Sequence, residues 1–115
     1  MPGQSSPIVI QDAESGATAR VQPAAGFNCF SFQARVHDRL VEALWHEPEF
    51  ATGEGRPSRS GMPVLFPFGG RIKDARYTFS GKQYHVTSAG DNGPNAIHGF
   101  VFNRPRRALD GAGDD

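Results

Sequence analysis

The sequence predicts an all-β fold built from short antiparallel strands. Three observations carry that expectation. Phe30 and Phe32, Phe66 and Phe68, and Phe100 and Phe102 each stand two residues apart, which puts each pair on one face of a strand. Glycine occupies 14 positions and proline 9 against a hydrophobic fraction of 37%, a balance suited to many turns rather than a helical bundle. Dense turn signals also separate the apolar runs, and no long amphipathic helix or internal repeat is evident.

In chain order, "SPIVIQD" (6–12) and "GATARVQP" (16–23) read as two strands joined by a turn at Asp-Ala-Glu-Ser-Gly. "FNCFSFQARV" places Phe30, Phe32, Ala34 and Val36 on one face and Ser31, Gln33 and Arg35 on the other, a half-buried strand. Pro48 disfavours a helical Glu47, so Leu40 to Trp45 is read as a strand. "ATGEGRPSRSGMP" has the composition of a loop. "VLFPFGGRI" returns to apolar residues. "RYTFSGKQYHV" has the pattern of a β-hairpin, with Tyr77 and Phe79 before its turn and Tyr84 and Val86 after. "SAGDNGPN" reads as another turn, followed by a strand "IHGFVF". Residues 1–6 and 107–115 are expected to be disordered, which leaves one domain unit across 1–115.

Composition narrows the function classes. Twelve Lys+Arg balance 12 Asp+Glu, so no net charge gathers nucleic acid or an anionic membrane. Neither a membrane-spanning run nor a signal peptide is present, and a cytoplasmic location is the default. The single cysteine, Cys29, cannot form an intrachain disulfide and is read as a small core residue. Histidines 37, 46, 85 and 98 are dispersed, which gives a metal site no support. Phosphate-loop and nucleophile-elbow motifs are absent, and "RPRR" (104–107) is a short basic surface cluster.

Two residues remain as candidates. Arg71 emerges from an apolar run after Gly69-Gly70; its guanidinium offers five donors to a ligand's oxygens, or its stem packs while its head reaches water. His98 matches a sugar hydroxyl in being both donor and acceptor, with Gly99 leaving room for a ligand near the backbone. The plainer reading is a histidine bonded to a loop carbonyl, and spacing does not decide between them.

The motifs "SGMPVLFPFGGRI", "YTFSGKQYHV" and "GPNAIHGFVFNRP", in that order and separation, resemble those of aldose 1-epimerases, the galactose mutarotase-like family; "EALWHEPEF" adds to the likeness. The resemblance runs from Ile8 to about Pro105. It implies an antiparallel β-sandwich, the supersandwich, with a hexose in a cleft on one sheet. The implied reaction interconverts α and β anomers: a base takes the C1 hydroxyl proton, an acid protonates the ring oxygen, the ring opens, and closure gives the other anomer. It implies no cofactor and no metal. The family's sugar-contacting arginine and histidine match Arg71 and His98, which makes both substrate-binding residues.

The resemblance also implies what is missing. Its glutamate base and acid histidine lie in downstream segments, and none of the glutamates at 14, 42, 47, 49 and 54 matches the base, so no catalytic residue is assigned. The chain is thus expected to be an N-terminal, truncated portion of the sandwich, with exposed strand edges and self-association as consequences. Gly70 stands where the family often has asparagine, and Arg106-Arg107 follow where it continues with an aromatic residue. Two alternatives stay open: a non-catalytic carbohydrate-binding module, and a hexose-6-phosphate 1-epimerase whose "RPSR" loop holds phosphate.

Overall fold

A computed structural model describes residues 6–87 and 93–109. Four strands, β1 (Ile8–Gln11), β2 (Thr18–Gln22), β3 (Asn28–Val36) and β4 (Arg39–Glu42), form an antiparallel sheet in sequence order. The β1–β2 turn closes through Asp12, whose carboxylate accepts from the Ser15 backbone N–H at 2.9 Å and from the Ser15 hydroxyl. Those bonds, the hydroxyl's first, hold the Asp12 carboxyl below its ordinary pKa.

Two smaller antiparallel pairs follow. β5 (Arg71–Ile72) pairs with β8 (Ala96–Ile97), and β6 (Arg76–Phe79) pairs with β7 (Lys82–His85). The β6–β7 hairpin turns on Ser80 and Gly81, both with positive φ (50° and 75°), as a two-residue type I′ connection requires. Its cross-strand pair Tyr77 and Tyr84 stacks with ring centroids 5.1 Å apart. The all-β expectation holds, with four short 3-10 turns between the strands among the described residues.

The apolar interior is divided. Ala25, Phe30 and Phe50 form one buried cluster, and Ala75, Val86 and Ala96 form another flanked by Phe68 and Ile72. Phe30 and Phe50 are fully buried, each stabilising by about 2–3 kcal/mol relative to exposure. Buried amides tie the loop after β4 onto the sheet. Asn28 donates to the carbonyls of Pro57 (3.1 Å) and Ser60 (2.9 Å) and accepts from Met62 N–H (3.1 Å), while Gln22 donates to Ala51 (2.8 Å).

Several elements depart from expectation. The strand expected over Leu40 to Trp45 instead spans Arg39–Glu42. Glu42 ends it, because its carboxylate accepts from the Ser31 hydroxyl, Phe32 N–H (2.9 Å) and Leu44 N–H (3.2 Å), taking the place of a ladder carbonyl. Phe66 and Phe68 share no strand, since Pro67 between them has no N–H to give a ladder. The expected strand "IHGFVF" stops at Ile97: His98 and Gly99 both take positive φ (57° and 70°), and 100–103 form a turn. Cys29 is half-buried rather than a core residue. The turn expected over 88–95 falls partly outside the described residues, as do most of the two ends expected to be disordered.

On β3, Phe30 is buried but Phe32 is 39% exposed. Phe32 lies opposite Ala19, which lies opposite Ile10, and Ala34 opposite Val41, so an apolar row crosses the four strands on one face. Ile10 (58%) and Val41 (41%) are exposed there as well.

Candidate functional site

The β5–β8 pair brings the backbones of the two candidate residues, 27 positions apart in sequence (98 − 71), to neighbouring rungs. Arg71 stands directly opposite Ile97, and Ile72 opposite Ala96. At the next step of the ladder the regular pattern changes. His98 N–H donates to the Gly70 carbonyl at 2.9 Å, but Gly70 N–H donates to the imidazole Nδ1 of His98 at 3.1 Å. The positive φ of His98 is a conformation in which histidine is enriched among non-glycine residues, and the ring supplies the acceptor for Gly70. Gly70 itself has φ 78°, a left-handed conformation that glycine adopts without strain.

Around this clasp the chain closes on itself. Gly99 bridges to Phe66, and Phe100 N–H donates to the Phe66 carbonyl at 2.8 Å. A Cβ at Gly99 would fall 2.0 Å from that oxygen. The space expected beside Gly99 for a ligand is therefore filled by the Phe66–Pro67 backbone. Asn95 Oδ1 accepts from Asp74 N–H at 2.9 Å and pins the start of β8 to the turn after β5. The His98 and Phe102 rings meet in a T-shaped pair, centroids 5.9 Å apart and planes at 88°. Arg71 is exposed and His98 half-buried.

Sequence reading missed Gly70 as the partner of His98, and the Asn95–Asp74 and Phe66–Phe100 bonds that close the chain around it. Backbone-mediated contacts between distant segments leave no residue-type signal, although "GPN" before a short apolar run marks a constrained strand entry. An open groove of about 710 Å³ lies nearby, lined among others by Tyr77, Tyr84, His85, Phe100, Arg104 and Arg106; neither Arg71 nor His98 lines it. Arg56 and Arg59 of the "RPSR" loop belong to the segment that Asn28 ties to the four-stranded sheet. His46 is occupied as well, its Nδ1 2.8 Å from the Glu47 carbonyl oxygen and its ring against Phe30.

The Glu42 carboxyl is held below its ordinary pKa: partial burial pushes it up, and the hydrogen bonds from Ser31, Phe32 and Leu44, with the nearby His46, outweigh that. Those contacts make it the end-piece of β4. Among the described residues no three His, Cys, Asp or Glu side chains converge as a metal would need, and no helix is long and apolar enough to cross a membrane.

Comparison with known proteins bears on the fold and the family. A solved structure, a GalM/aldose epimerase homologue from C. elegans, is similar to it with a TM-score of 0.55 and 22% identity over 81% of the chain. That likeness is one of fold, a galactose mutarotase-like all-β architecture, and the chain spans 28% of the length of that protein. The sequence profile of the family described as Aldose 1-epimerase matches residues 29–107, which include β5, β8, Arg71 and His98. The chain belongs to the aldose 1-epimerase family.

Proposed function

We propose that this chain carries the hexose-contacting part of an aldose 1-epimerase-type isomerase, with Arg71 and His98 as the sugar-binding side chains. One observation carries the reading: the β5–β8 pair brings the backbones of Arg71 and His98 to neighbouring rungs, with His98 held by reciprocal bonds to Gly70, the residue before Arg71. Guanidinium and imidazole donors suit the oxygens of a sugar, and a chain without net charge suits a small neutral ligand over nucleic acid.

Anomer interconversion needs an acid and a base on opposite sides of the same event, and no such pair is assigned within these 115 residues. The chain by itself therefore binds hexose without accelerating ring opening. Glu42, with its hydrogen bonds to β3, supports this second, binding-only reading of the isolated chain. Polarimetry on α-D-glucose and α-D-galactose tests it. Mutarotation at the buffer rate is expected; a faster rate would mean that a complete acid–base pair resides in the chain.

The apolar row across the sheet, and β1 and β4 as its outer strands among the described residues, support self-association of this chain.

A further inference from the structure

The histidine of the clasp carries information beyond its position. Neutral imidazole has one protonated and one unprotonated nitrogen, and a backbone N–H can donate only to the unprotonated one. Gly70 N–H points at Nδ1 of His98 from 3.1 Å. The second bond, from His98 N–H back to the Gly70 carbonyl at 2.9 Å, holds the two backbones in the register that makes this donation possible. The ring is also held against Phe102, itself only 5% exposed, which limits its rotation.

We infer that Gly70 acts as a positioning residue: its backbone N–H locks His98 in the Nε2–H tautomer, so that the imidazole meets a ligand as a hydrogen-bond donor and not as an acceptor or base. Arg71, on the neighbouring rung, is a donor in every protonation state it reaches in a protein. Both side chains then supply donors only. The ligand atoms that fit them are lone-pair oxygens: a ring or glycosidic oxygen, or a hydroxyl turned to accept, and a ligand that presents only donors to this end of the site is rejected. Discrimination of that kind is large, because a mismatched polar pair leaves two groups unsatisfied.

The inference deepens the sugar-binding reading and rests on it for the ligand, but the tautomer can be measured without any ligand. The full chain, labelled with 15N-histidine, is examined by long-range proton–nitrogen correlation at a pH where the imidazole is neutral. His98 signals are identified by their loss in His98→Gln. A single Nε2–H pattern is expected for His98, retained in Gly70→Asn, which keeps both the N–H and a tolerated positive φ. An Nδ1–H pattern, or the averaged signals of a ring exchanging between tautomers, would overturn the inference. D-galactose is then added. A shift confined to the Nε2 side of the ring supports donation to the sugar. A locked tautomer with no galactose response removes the sugar reading and leaves the positioning role standing; an averaged tautomer with a galactose response does the reverse.

Discussion

Phe100 N–H donates to the carbonyl oxygen of Phe66 at 2.8 Å, and this contact is possible because the residue before Phe100 has no side chain. A methyl group at Gly99 would stand 2.0 Å from the same oxygen, with φ at 70°. Gly99→Ala is therefore expected to push Phe66–Pro67 away from β8 and to destabilise the chain by about 1–3 kcal/mol. Urea denaturation followed by tyrosine and tryptophan fluorescence measures it, and an unchanged midpoint would contradict the packing described.

Asn28 is fully buried and ties two loop carbonyls and one loop N–H to the first sheet. Asn28→Ala leaves the carbonyls of Pro57 and Ser60 without those donors, at a cost of about 2 kcal/mol or more. Met62 N–H keeps Cys29 as a second acceptor at 2.9 Å, so the carbonyls carry most of the loss. The same denaturation experiment reads it, with faster proteolysis between Thr52 and Met62 as an independent sign.

Glu42 gives a pH dependence with a definite sign. Its carboxyl is held below the ordinary value in the folded chain, so its contribution is present at pH above the unfolded pKa and is lost as pH falls through the folded pKa. Stability measured from pH 6 downward is expected to decline through the acidic carboxylate range, and the decline is expected to be shallower in Glu42→Gln. Equal slopes for the two proteins would mean that the contacts to Ser31 and Phe32 do not favour the ionised form.

The exposed apolar row gives a prediction about association. Phe32 and Val41 stand on one face of adjacent strands and are 39% and 41% exposed. Phe32→Ser with Val41→Ser is expected to reduce concentration-dependent sedimentation, since it removes apolar area without touching the core around Phe30. Unchanged association would move the contact to another surface.

Local chemistry made much of this fold legible. The Ser80-Gly81 turn between alternating aromatics specified its hairpin, and the run from Asn28 to Val36 specified β3. What failed were judgements that depend on the partner of a segment. Phe66, Phe68, Phe100 and Phe102 have strand spacing, yet Pro67 and the positive φ of His98 take their segments out of the ladder. Phe32 has the pattern of a buried residue and is exposed because nothing among the described residues covers that part of the sheet. At the candidate site, resemblance singled out Arg71 and His98; the bond between Gly70 and His98 was not legible, because a backbone N–H is present at every position but proline and marks none of them.

The central claim is that Arg71 and His98 together bind a hexose. Isothermal titration of the 115-residue chain with D-galactose tests it most directly. A saturable heat is expected from the unmodified chain, reduced by about tenfold or more in affinity in either Arg71→Ala or His98→Ala, as the loss of a hydrogen bond to a charged or oriented donor costs about 1.5–3 kcal/mol. No saturable heat, or the same affinity in both variants as in the unmodified chain, would contradict the account.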